Sequence, residues 1–138
     1  MKIAIVYDGG SKTTGNAAEA MAESFRQHGH QCDVYSTRQV DAMRVRQADL
    51  VCIGSPVKSL LFFFRTRPSD EIKEFLRSMS TLGAKKGVAF TTYLVWPGDG
   101  VAKLAGEMER IGSFVVGNFE FRGGALTAAF EHFAEKYK

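Results

Sequence analysis

Asp8-Gly9-Gly10-Ser11-Lys12-Thr13-Thr14-Gly15 is the stretch of this chain whose residue types suit chemistry on a charged ligand. Adjacent glycines permit a sharp turn, small hydroxyl residues and a lysine follow, and helical spacing of apolar residues sets in from Asn16. Free N–H groups at a helix start, the positive end of its dipole and short hydroxyl side chains together make an anion site. Ser11, Thr13 and Thr14 carry hydroxyls that can donate to phosphate oxygens, and Lys12 adds positive charge. The same residue types also build an ordinary glycine turn with a Ser or Thr cap. The stretch is neither a Walker loop, which needs Gly-Lys followed by Ser or Thr, nor the dinucleotide GxGxxG.

Two other segments have unusual composition for connections, Gly54 to Arg67 and Thr91 to Gly100. The second contains Tyr93 and Trp96, whose flat faces suit stacking, followed by Pro97-Gly98. Other constellations are absent. A phosphoacceptor receiver needs an Asp at the end of its third strand, where this chain has Gly54-Ser55. His28, His30 and His132 lack the further ligands of a metal site and suit helix ends and faces. No Ser-His-Asp arrangement can be assembled. Cys52 is followed five residues later by Val57 and then Lys58, so the CxxxxxR loop of small phosphatases is missing.

The elements that must position these segments follow from periodicity. Ile3 to Tyr7 is a short apolar run suited to a strand buried on both faces. Ala18, Met21, Ala22 and Phe25 recur at helical spacing from Asn16, and Gly29 stands where that helix would stop. Cys32 to Tyr35 reads as a second strand, Val40 to Gln47 as a weak helix, and Leu50 to Ile53 as a third strand closed by Gly54-Ser55-Pro56. Val57 to Arg67 is expected to be irregular. Pro68-Ser69-Asp70-Glu71 opens a helix with acids in its first turn, and Ile72, Phe75, Leu76 and Met79 form its apolar face. Lys86 to Thr92 reads as a fourth strand, Val101 to Ile111 as a helix ended by Gly112, and Phe114 to about Phe121 as a fifth strand. Leu126, Ala129, Phe130, Phe133 and Tyr137 give a closing helix one apolar face. Alternating strands and helices imply a parallel sheet covered on both sides, with ligands beyond the carboxyl ends of the strands.

Composition sets the bounds. At 138 residues the chain suits one domain, residues 1–138, able to bury a core. With 45% apolar and 24% charged residues it is too apolar for disorder. The run Ser59 to Phe64 is flanked by Lys58 and Arg65 and is far too short to cross a bilayer. Asp8-Gly9-Gly10 ends the first apolar run, which therefore reads as a strand and not a signal peptide, so a cytoplasmic location is expected. Cys32 and Cys52 read as buried thiols. A net charge of +3 is spread over scattered basic residues, which gives no footprint for nucleic acid.

The residues now carry a resemblance. Ile5-Val6-Tyr7-Asp8, followed by Ser11-Lys12-Thr13-Thr14-Gly15-Asn16, resembles the strand and phosphate loop of the flavodoxin family, Tyr-Asp-Ser-Lys-Thr-Gly-Asn-Thr. Ala48 to Pro56 is similar to that family's third strand and following loop, and Ile72 to Leu76 to its next helix. Ala89-Phe90-Thr91-Thr92-Tyr93, then Trp96-Pro97-Gly98, is similar to Ala-Phe-Gly-Ser-Tyr-Gly-Trp-Ser-Gly in the flavodoxin modules of A-type flavoproteins. The likeness runs in order along essentially the whole chain.

What the resemblance implies is a doubly wound five-stranded parallel sheet of order 2-1-3-4-5 with flavin mononucleotide (FMN) at its edge. The phosphate is expected in the Ser11–Asn16 loop (Ser11, Lys12, Thr13, Thr14, Gly15, Asn16), and the isoalloxazine between the Ser55-Pro56-Val57 and Thr92–Gly98 segments. Ser55 and Thr92 are then placed to hydrogen-bond the flavin, with Tyr93, Trp96 and Gly98 beside it. This chain departs from the family where Gly9-Gly10 and an extra Thr lengthen the first loop, where Ala17 follows Asn16, and where Val57-Lys58 follows Pro56. It is also basic, whereas flavodoxins are generally acidic. The implied function is electron transfer with a redox partner protein, without nucleic acid and without membrane insertion. Two alternatives stand beside it: an FMN-dependent reductase of quinones or other small molecules, and a non-flavin interaction module on the same fold. Phe62, Phe63 and Phe64 suit either a replacement ring stack or a contact between copies of the chain.

Overall fold

The computed structural model describes residues 1–60, 65–79 and 85–137. Strands and helices alternate as β1 (Lys2–Tyr7), α1 (Lys12–Gln27), β2 (Gln31–Ser36), α2 (Ala42–Gln47) and β3 (Leu50–Leu60). They continue as β4 (Arg65–Pro68), α3 (Asp70–Met79), β5 (Lys86–Tyr93), α4 (Gly100–Arg110), β6 (Phe114–Arg122) and α5 (Ala128–Lys136). The main sheet is parallel in the order β2-β1-β3-β5-β6, and β4 pairs only with β3. Leaving β4 aside, this is the order 2-1-3-4-5 expected above.

The side chains alternate across each strand and so feed two cores. Ile3 and Ile5 face α1 and α5, where Met21, Phe25, Phe90, Phe121 and Phe130 are fully buried. Ala4 and Val6 face the other layer, built from Val45 of α2, Ile72, Phe75, Leu76 and Met79 of α3, and Val101, Leu104 and Met108 of α4. Every apolar position expected on α3 is therefore in the core. Gly29, at φ +88°, ends α1 where the sequence predicts a stop. Ala129, expected on the apolar face of α5, is exposed. Cys32 and Cys52 are free and buried. Burial pushes the Cys32 thiol up to about 12 against a partial lowering by Arg26, and holds Cys52 well above the usual thiol range.

Two expectations are corrected. The stretch from Val57 to Arg67 is not irregular where it is described, because β3 runs on to Leu60 and pairs antiparallel with β4, Val57 opposite Pro68 and Lys58 opposite Arg67. Gly54-Ser55-Pro56 marks the place where β3 leaves its parallel ladder with β5, whose last pair is Pro56 with Thr92, rather than the end of extended backbone. The Phe62–Phe64 expectation lies outside the described residues. The second correction concerns α1, which starts at Lys12 and not at Asn16. Ser11 takes extended backbone angles as N-cap, and its Oγ accepts from Thr14 N–H at 3.2 Å. Thr13, Thr14 and Gly15 are poor helix formers in mid-helix, yet the first turn tolerates them because the cap satisfies its donors.

Candidate functional site

The anion turn lies at the carboxyl edge of the sheet because β1 ends at Tyr7 and α1 begins five residues later at Lys12. Asp8 N–H donates to the Gly54 carbonyl at 3.1 Å, which extends the β1–β3 ladder by one bond and fixes where the turn begins. Within the turn most donors already have acceptors. Gly9 N–H donates to Thr37 Oγ1 at 3.0 Å, Gly10 N–H to Asp8 Oδ1 at 2.7 Å, and Ser11 N–H to the Asp8 carbonyl at 3.0 Å. Gly15 N–H closes the first helical bond to the Ser11 carbonyl. That leaves the Lys12 and Thr13 N–H groups without a hydrogen bond among the described residues, at the positive end of a 16-residue helix. The exposed Lys12 and half-buried Ser11 and Thr13 stand around them.

Thr14 is fully buried and links this turn to the far side of the site. Its Oγ1 lies 2.8 Å from Ser11 Oγ and 2.8 Å from Thr92 Oγ1, so three hydroxyls form one chain from the start of α1 to the end of β5. The connection after β6 reinforces the same joint. Gly123 N–H donates to the Tyr93 carbonyl at 2.7 Å, and Gly124 sits at φ +80° with its Cα so close to α1 that a Cβ would lie 2.9 Å from the Thr13 carbonyl oxygen. Only glycine suits both the angle and the approach. Gly15 has a local reason too, since a Cβ there would press on the Tyr7 ring.

On the other side, Ser55 is buried, but its hydroxyl donates to the Pro56 carbonyl at 2.8 Å and accepts from Ser69 N–H at 2.8 Å. Ser69 in turn caps α3 by accepting from Ile72 N–H. The Thr92 hydroxyl likewise has a partner within the chain, Thr14 Oγ1 at 2.8 Å. Both tie a strand end to a helix start, Ser55 through Ser69 to α3 and Thr92 through Thr14 to α1. Tyr93 is half-buried, and beyond it Leu94, Val95 and Trp96 are exposed at 72%, 86% and 51%. Gly98, at φ +55°, turns the chain into α4. The exposed Asn16 lies on the outer side of α1. The predicted residues thus gather at one edge, in a glycine turn and an aromatic loop joined through Thr14, Thr92 and Gly123.

The strand order, the layers and the length all match one known architecture. The fold is that of the flavodoxins. A flavodoxin from the domain Archaea covers 99% of this chain and 92% of its own length, at 21% identity and a TM-score of 0.72. The two-electron reduced flavodoxin of Megasphaera elsdenii covers 96% of each chain, at 18% identity and a TM-score of 0.79. Rubredoxin:oxygen oxidoreductase from Desulfovibrio gigas matches 97% of this chain with 33% of its own, at 21% identity and a TM-score of 0.74. No family model matches the sequence, and no curated protein does so at the sequence level. Among the described residues no helix is long and apolar enough to cross a membrane.

The flavodoxin-like edge also holds residues that sequence reasoning missed. Glu71, in the first turn of α3, reaches the anion turn, and Arg38 lies across it. Thr91 Oγ1 and Glu120 Oε2 are buried without a hydrogen-bond partner among the described residues, on neighbouring positions of β5 and β6. Glu71 had a signal only as a helix-start acid, and Arg38 had none, because neither is near the turn in sequence.

Proposed function

We propose that this chain binds FMN at the carboxyl edge of its sheet and passes electrons to a partner protein. The observation that carries the reading is the hydroxyl chain Ser11–Thr14–Thr92, which holds an open helix start beside the aromatic loop of β5. A mononucleotide needs those two features side by side, one for its phosphate and one for its ring. The Lys12 and Thr13 N–H groups, the Ser11 and Thr13 hydroxyls and the Lys12 ammonium would hold the phosphate. Backbone groups of Ser55, Pro56, Val57 and Thr92 would face the ring edge, and Tyr93 and Trp96 would offer it flat apolar faces. The flavin, when bound, supplies the redox chemistry, and no side chain of this chain is required to act as acid or base. Its role here is to hold the ring, limit water around it and present one edge to a partner. The likeness to flavodoxins over nearly the full length supports this assignment.

The test is titration of apo-protein with FMN, followed by quenching of flavin fluorescence and by the visible spectrum. Stoichiometric binding at micromolar affinity or tighter is the expected result. No binding at high FMN concentration, with native far-UV dichroism, would end the redox reading. A second reading, a non-flavin interaction module, draws on one observation: the donors of Gly9, Gly10 and Ser11 are already engaged within the chain. Steady NAD(P)H oxidation by the flavin-loaded protein alone would point instead to a reductase.

A further inference from the structure

Glu71 makes two contacts that its place in the first turn of α3 does not require. Its Oε2 is the longer of two acceptors of Gly10 N–H, at 3.1 Å beside Asp8 Oδ1 at 2.7 Å, and its Oε1 accepts from Arg38 Nε at 3.0 Å. Arg38, from the connection after β2, is draped over the turn: a Cβ on Gly9 would lie 3.0 Å from its Cγ, and one on Gly10 would lie 3.2 Å from its Nη2. The same glycines border a hollow of about 420 Å³ whose lining also includes Tyr7, Lys12, Asn16 and Glu19, but neither Arg38 nor Glu71. A carboxylate bridging a backbone N–H and a guanidinium offers the donors what a phosphate monoester would offer them, with less charge and one fewer oxygen. The ion pair is also exposed, at 64% for Arg38 and 32% for Glu71, and pairs of that kind are worth about 0–1 kcal/mol. It is therefore an interaction that a dianion can replace at little cost.

We propose that Glu71 is a built-in competitor for the ligand's phosphate and that Arg38 is a phosphate-binding residue. On binding, the phosphate displaces the Glu71 carboxylate from the Arg38 guanidinium and from its longer contact with Gly10 N–H, whose 2.7 Å bond to Asp8 Oδ1 stays, while Lys12 and Thr13 N–H hold it from the helix start. This rests on the reading above that the turn receives the phosphate of a mononucleotide. The exchange gives a turn so fully hydrogen-bonded within itself a further donor for an anion, the guanidinium that a surface ion pair holds over it. It also gives the site a preference for a phosphorylated ligand over the bare ring system.

The experiment compares FMN with riboflavin, which has the same ring and no phosphate, on the wild type, Glu71→Gln and Arg38→Gln. Both side chains are at the surface, so folding should be retained, and thermal unfolding checks it. Glu71→Gln should tighten FMN about fivefold, Arg38→Gln should weaken it about tenfold, and riboflavin affinity should move with neither. Unchanged FMN affinity in both variants, or parallel shifts for riboflavin, overturns the proposal while leaving FMN binding itself intact. If the wild type binds no FMN, the functional reading fails separately. Inorganic phosphate then decides the inference: a Gly10 amide shift in NMR titration that disappears in Arg38→Gln upholds the exchange, and no shift rejects it.

Discussion

The two loops that border the candidate site are built on opposite principles. In the turn after β1, Gly9, Gly10 and Ser11 all donate to acceptors within the chain, and Thr14 is buried between Ser11 and Thr92. In the loop after β5, Leu94, Val95 and Trp96 turn large apolar side chains to water. The first is braced before any ligand arrives, which suits an anion whose recognition depends on fixed donors. The second presents exposed apolar area, which suits the face of a ring or the surface of a partner. The difference teaches that this edge divides its labour, with geometry set at one end and apolar contact at the other.

The strongest way to break the comparison is to disturb the strand both loops depend on. An alanine Cβ at Gly54 would overlap the ring of Phe90, which is fully buried and has nowhere to go. Gly54→Ala should cost about 3 kcal/mol of stability in denaturant unfolding and impair both loops together. Thr14→Val sharpens the contrast by removing the middle hydroxyl of the Ser11–Thr92 chain with little change of shape. It should cost about 1–2 kcal/mol in the same assay and weaken FMN about tenfold. A stability loss with unchanged FMN affinity would show that the chain braces the fold but does not shape the phosphate site. Trp96→Ala tests the other loop and should be the mildest. Unfolding should shift by no more than about 0.5 kcal/mol, while FMN affinity falls about fivefold through lost stacking. If Trp96→Ala destabilised the protein more than Thr14→Val, the division between a braced loop and a contact loop would be wrong.

Much of this was legible from residue order. The α3 face of Ile72, Phe75, Leu76 and Met79 follows from spacing alone, and all four are buried. The stop at Gly29 was legible because a positive φ favours glycine. The start of α1 was misplaced by four residues, since apolar spacing begins only after the polar first turn that Ser11 caps. The extension of β3 was illegible because Gly54-Ser55-Pro56 has the composition of a strand end, and its true pairing is with β4 beyond it. Residue types alone picked out Ser11 to Asn16, Ser55, Thr92, Tyr93 and Trp96, and the structure brings these segments to one edge of the sheet. The partners that the Ser55 and Thr92 hydroxyls take within the chain were not legible, because a serine or threonine hydroxyl has the same sequence signature whether it meets a ligand or a helix.

By itself, then, the sequence determined the alternation of strands and helices, the two-sided burial of the sheet and the position of an anion-type turn at its carboxyl edge. These depend on periodicity and on turn chemistry, which act between residues a few positions apart. Only the tertiary structure decided which donors of that turn remain free. Thr37 and Arg38 reach it from the connection after β2, Glu71 from α3 and Thr92 from β5, as in the contact of Glu71 with Gly10 across 61 residues. Such contacts are set by the order in which parallel strands pair and by the helix that each crossover delivers to the same edge. No local pattern in the chain encodes that meeting, because each participant satisfies its own neighbourhood equally well without it.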